Sequence, residues 1–196
     1  MHMPHAYRAA HSGFTVVELM ITLILAAVLL TLAAPAFTDL IANNRLRSEV
    51  FALRGLLMEA RTEALSERNN VTVCPSSNGT TCTGTWSDGY IAFFDTDTEG
   101  DVDGTDRIIL ARTPDTHRID VTFSNAANRV VYNSRGNAQI PGTTFNGTFT
   151  FCDDRGPTKA AGLIITPVGS LAAAIERDDP ADGIFNDAEG DNLDCG

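Results

Sequence analysis

Between Phe14 and Ala34 the chain runs for 21 residues with a single charge, Glu18. At 1.5 Å per residue such a run makes a helix about 30 Å long, the thickness of a bilayer core. Nothing later in the sequence resembles it. Any fold for this chain must therefore place one long apolar helix near its start and find something to cover it.

The next stretch changes period. Leu46, Val50, Leu53, Leu57, Ala60 and Ala64 alternate spacings of four and three, which is one stripe on one helix face. Over residues 38–68 five Arg and five acids fill the other faces and cancel. No proline occurs between Pro35 and Pro75. One helix is therefore expected to run from the apolar segment to about Arg68, with Pro35 as a kink or weak turn and Asn69-Asn70 as its end.

From Asn70 onward short apolar runs are divided by Gly, Pro, Asn and Asp. The expected strands are Val71–Cys74, Tyr90–Phe94, Ile108–Arg112, Ile119–Phe123, Val130–Tyr132, Thr148–Phe151, Leu163–Thr166 and Leu171–Ile175. The predicted class is α+β: a long N-terminal helix packed on a β-rich C-terminal head. The divisions are a leader (1–13), an apolar helix (14–37), an amphipathic helix (38–69) and the head (70–196).

Charge follows the same divisions. The net charge is −11, and residues 69–196 carry 8 basic against 19 acidic side chains, so the whole excess sits on the head. This argues against nonspecific nucleic-acid binding through bulk positive charge.

Three readings compete for the N-terminus. Ala34-Pro35-Ala36 supplies the A-x-A of a signal peptide, but the apolar run exceeds an ordinary signal core and proline at the centre of the triplet disfavours cleavage. A plain membrane anchor leaves Glu18 unexplained. The third reading starts from Gly13-Phe14-Thr15-Val16-Val17-Glu18 followed by the apolar helix. This segment resembles the processing site of type IV pilins and of the pseudopilins of type II secretion.

That resemblance implies that a prepilin peptidase cuts between Gly13 and Phe14 on the cytoplasmic side and N-methylates Phe14. It also makes Glu18 and Pro35 the residues used in assembly. A carboxylate in an apolar run costs several kcal/mol without a partner. In the family that partner is the cationic N-terminal amine of a subunit in the filament. The plainer alternative is a Glu at the membrane interface that faces water. One departure is the leader, which has Arg8 and three His where several Lys or Arg are usual.

The implied anchor orientation puts the head in the periplasm, where thiols oxidise. Cys74 and Cys82 flank the turn-like PSSNGTT, Cys152 follows a candidate strand, and Cys195 is penultimate. The predicted pairs are Cys74–Cys82 and Cys152–Cys195, the second tying an acidic tail to the sheet. Zinc is disfavoured because no C-x2-C spacing occurs.

Within the head, Phe151-Cys152-Asp153-Asp154-Arg155-Gly156, Leu163–Gly169 and the terminal Cys resemble minor pilins of the FimT/FimU type, which share a GspH-like head. Ser87–Asp95, an acidic loop and Arg107–Arg112 fit the same head. The implied partners are the prepilin peptidase, other minor and major pilins, inner-membrane lipid and the pilus assembly platform. The implied location is the inner membrane, single-pass with a periplasmic head, until the subunit joins a pilus or pseudopilus. The function so implied is a minor pilin that primes or joins type IV pilus assembly. The alternatives are a GspH-like pseudopilin of type II secretion and a DNA-binding minor pilin for natural transformation. Against the last, the nearest basic groups to the acidic tail are Arg155, Lys159 and Arg177.

Two further features bear on chemistry. In the loop 95–106, Asp95, Asp97, Glu99 and Gly100 imitate positions of an EF-hand loop, and Asp106 stands where that loop has its last ligand. Calcium is the cofactor this raises; the competing reading is a solvated hairpin loop between strands. As for catalysis, His117 is the one histidine outside the leader, in a turn-like PDTHR. With the cysteines paired and no phosphate-binding Gly loop, a non-enzymatic protein is expected.

Overall fold

The computed structural model describes residues 13–113, 119–139, 147–178 and 180–196. His117 lies outside the described residues. By internal contacts the chain forms two compact units, Met1–Ile41 and Ala42–Gly196.

Helix α1 runs Val16–Glu67, 52 residues, and its backbone is helical through Pro35. Thr15 starts it: its Oγ1 accepts from the Glu18 amide at 3.2 Å and its carbonyl from the Leu19 amide at 3.1 Å. Arg68 ends it in a left-handed conformation, φ 52°.

In the first unit the helix keeps its apolar side chains exposed, among them Val16, Met20, Ile24 and Leu29. Among the described residues no helix is long and apolar enough to cross a membrane. The reading of a span therefore rests on the sequence of the apolar run.

In the second unit the stripe of the amphipathic half is buried. Leu53, Leu57, Ala60 and Ala64 are fully inaccessible, Leu46 nearly so, and Val50 packs at the edge of the same core. Leu56 joins them.

Nine strands follow among the described residues: β1 Val71–Pro75, β2 Tyr90–Phe94, β3 Arg107–Arg112, β4 Asp120–Phe123, β5 Val130–Tyr132, β6 Ala138–Gln139, β7 Gly147–Cys152, β8 Ala161–Ile165 and β9 Leu171–Ala173. They form two sheets ordered β3-β2-β1-β5-β6 and β4-β7-β8-β9. Every pairing is antiparallel.

Alternation within the strands assigns the faces. Val71, Val73, Tyr90, Ala92, Val130 and Tyr132 of the first sheet share one core with the helix stripe. Phe149, Phe151, Leu163 and Ile165 of the second sheet complete that core. Trp86 closes its end, edge-on to Phe149 at 4.6 Å between ring centroids, with its Nε1 donating to Asn128 Oδ1.

The opposite faces of the central strands are also buried. On the first sheet Cys74, Ile91 and Phe93 lie under Cys82 and Val102. On the second, Cys152 and Ile164 lie under Ala174 and Leu193 of the tail. Sheets covered on both sides explain why the strands read as continuous apolar runs.

The helix is also tied by polar contacts. Arg61 Nε donates to the Gly136 carbonyl at 2.9 Å and its Nη2 to the Val168 carbonyl at 2.7 Å. Gly169, φ +76°, lies against both Gly136 and Arg61, and a Cβ there would run into the Gly136 carbonyl. Gly169→Ala combines a left-handed backbone cost with overpacking, together about 2–4 kcal/mol. Gly183 has φ +82° but open space around it, so Gly183→Ala carries the backbone cost alone. Urea unfolding of the full chain in detergent should show the larger midpoint drop for Gly169→Ala; equal drops would remove the packing argument.

Candidate functional site

Gly13, Phe14 and Thr15 are non-helical and exposed, so the Gly13–Phe14 bond lies in accessible backbone just ahead of α1. A Cβ built at Gly13 meets nothing within 4 Å. Glu18 sits in the first turn of the helix, three residues after Thr15. Thr15 and Glu18 thus have the spacing of a capping box, in which the third helical position carries Glu or Gln. A carboxylate there also suits the helix dipole, worth about 0.3–1 kcal/mol. The sequence reading passed over Thr15, although T-x-x-E before an apolar run is its signature.

Further along α1, Phe51, Met58 and Leu65 recur every seven residues and are 66%, 54% and 47% exposed. They lie off the buried stripe; Leu65 lies against Gly136, while Phe51 and Met58 are the more exposed of the three.

The disulfides join Cys74 to Cys82 and Cys152 to Cys195, with Cα–Cα separations of 5.5 and 5.7 Å. These are the predicted pairs. The second holds a tail that is more than a solvated loop. Asn186 is fully buried and its Nδ2 lies within hydrogen-bond distance of Asp178, the Gly190 carbonyl and Asn192, which share its two protons. Its Oδ1 accepts from the Arg177 amide at 2.6 Å, and the Ala188 amide donates to Thr148 Oγ1 of β7.

Of the basic groups nearest the tail, Arg155 is engaged within the head. Arg155 binds Asp153 through Nη2 at 2.6 Å and Nε at 3.0 Å, and reaches Asn43 of α1 with Nη1. The hydrogen bonds from Arg155 hold the Asp153 carboxyl below the usual aspartate range. That contribution is present above the ordinary aspartate pKa and is lost as pH falls below it.

The acidic loop joins two strands, β2 and β3, and not two helices. It brings Asp95, Asp97 and Asp106 together, with one carboxylate oxygen from each within 4.8 Å of the others. Glu99 does not join that trio; it groups with Asp97 and Asp103. The four carboxylates of the EF-hand reading thus divide between two groups that share Asp97, the second of which adds Asp103. Repulsion from Asp97, then lost solvation, then Asp106, Asp95 and Asp101 push the Asp103 carboxyl up from its ordinary value.

The family of the type II transport protein GspH matches over residues 49–169. The prokaryotic N-terminal methylation motif matches over residues 8–34. No curated protein sequence matches the chain. Among solved structures, the type IV minor pilin FimU of Pseudomonas aeruginosa PAO1 is similar at 20% identity and a TM-score of 0.53, over 70% of this chain and 92% of that one. A second crystal form of it gives 21% identity and a TM-score of 0.48, over 69% and 96%. The first likeness is one of fold: a long N-terminal helix with an antiparallel β-rich head.

Proposed function

The chain belongs to the family of the type II transport protein GspH, and from that premise we propose that it is a minor pilin of the FimT/FimU type that primes or joins type IV pilus assembly. The family and the fold are those of structural pilins, so its work is assembly. A prepilin peptidase cuts between Gly13 and Phe14 and methylates the new N-terminus. The helix holds the subunit in the inner membrane with the head in the periplasm. At the assembly platform it leaves lipid for the helices of other minor and major pilins.

The observation that supports this reading is the bare apolar segment. Its described side chains are exposed, while the head closes a core of its own without them. Lipid is as apolar as a neighbouring helix, so transfer into a filament gains little from the hydrophobic effect. Close helix packing and the pairing of Glu18 must supply the preference. In the head, Phe51 and Met58 offer apolar contact to a neighbour.

Mass spectrometry of sheared filaments tests the proposal. The expected product begins at N-methylated Phe14. Full piliation in a strain lacking this chain, or no trace of it in filaments of the parent strain, would count against the role.

The family's own description favours a second reading, a pseudopilin of type II secretion. Deletion would then block secretion of type II substrates and leave pili intact.

A further inference from the structure

One carboxylate of the β2–β3 loop breaks the ordinary rule for buried polar groups. Asp95 is fully buried. Its Oδ2 accepts from Thr72 Oγ1 at 2.6 Å, while its Oδ1 is buried with no hydrogen-bond partner. A buried carboxylate oxygen left unpaired is costly, and native structures contain few of them. Carboxylate oxygens of Asp97 and Asp106 come within 4.8 Å of one from Asp95. Among the described residues no ion pair reaches these three groups. Two guanidinium groups lie close without forming an ion pair to these carboxylates: Arg107 sits over the Phe94 ring at 4.7 Å, and Arg129 packs against Gly100 of this same loop, its Nε buried without a hydrogen-bond partner.

We propose that this loop binds one calcium ion, with Asp95 Oδ1, Asp97 and Asp106 as its protein ligands. All three donors are hard oxygens, which suit calcium and magnesium over transition metals. Calcium accepts six to eight oxygens in irregular geometry, so water completes a three-carboxylate site more readily than for magnesium, which demands a near-ideal octahedron.

Backbone amides already orient the outer ligands. Thr96 N–H donates to Asp106 Oδ1 at 3.1 Å, and Glu99 N–H to Asp97 Oδ1 at 3.2 Å. Asp95 itself is anchored to the sheet, since its amide donates to the Asn70 carbonyl and its Oδ2 takes the Thr72 hydroxyl of β1. An ion there pins the exposed loop to β1 and relieves the repulsion around Asp103.

The other acidic group, Glu176, Asp178 and Asp182, lacks this signature. Its carboxylates take the amides of Asp178 and Gly183 and the side chains of Asn186 and Asn192, and none offers a buried free oxygen.

The test uses the full chain in detergent micelles and does not depend on assembly. Calorimetric titration with calcium chloride should show one site with a Kd of about 0.1–1 mM, the range of extracellular calcium modules. The melting temperature, followed by Trp86 fluorescence, should rise with calcium and not with sodium chloride of equal ionic strength. Asp97→Asn and Asp106→Asn, outside the core, should each weaken binding roughly tenfold or more and remove the melting shift. Asp182→Asn should change neither. Absence of saturable binding up to about 10 mM calcium overturns the proposal. So does a response that survives both loop variants and disappears in Asp182→Asn.

Discussion

Gly13→Ala should leave the protein entirely as precursor, retaining its 13-residue leader and absent from filaments. The argument is one of isolation. A Cβ at position 13 has open space around it, and the residue stands outside α1, which begins at Val16. Ala is a better helix former than Gly by about 1 kcal/mol, but the hydrogen bond from the Glu18 amide to Thr15 Oγ1 fixes where the helix starts. The added methyl therefore matters only where another protein grips the backbone, and the proposed grip is the peptidase. Immunoblots of membranes should show one slower band with no mature form. The melting transition followed by Trp86 should not move, since that ring sits in the head core against Phe149. A mature band of ordinary mobility would place cleavage elsewhere. A shifted melting transition would instead mean that the substitution had damaged the fold.

Much of the fold was legible because the helix has one apolar face and the strands read as short apolar runs between turn residues. The stripe from Leu46 to Ala64 has helical period, and the helix buries that stripe. The eight predicted strands all occur, two with the expected ends and the others with ends displaced by one or two residues. The ninth, β6, escaped because it is two residues long and carries no apolar alternation. It exists through its partners: it pairs with β5, and the Ala138 amide donates to the Pro167 carbonyl. The internal order of the tail was not legible for a related reason. Its composition is that of a solvated loop, and its order comes from one buried amide, Asn186, whose partners are scattered from Arg177 to Asn192. The acidic loop was visible as a cluster but not as a site. Sequence spacing could not show that Asp95 is buried beside Thr72 while Glu99 groups with Asp97 and Asp103.

Glu18 carries two explanations, and a pair of substitutions separates them. As the third helical residue it supports the helix start by about 0.3–1 kcal/mol through the dipole, and Gln also suits the capping-box position. As the partner of a neighbouring N-terminal amine it contributes through charge. Two unit charges about 4 Å apart at an effective dielectric near 20 attract by about 4 kcal/mol. A Gln cannot replace that term. Glu18→Gln and Glu18→Ala should both insert and be cut, because the Gly13–Phe14 bond is untouched. Both should then enter filaments poorly, by about a hundredfold if some 3 kcal/mol of pairing is lost. Thr15→Ala supplies the reference, since it removes the cap at about 1 kcal/mol and keeps the carboxylate. Quantitative mass spectrometry of sheared filaments, normalised to membrane levels, reads all three. If Glu18→Gln assembles like the parent and only Glu18→Ala fails, the carboxylate is a helix cap and the charge pairing is wrong. If Gln and Ala fail alike while Thr15→Ala assembles, the charge itself selects the filament over lipid.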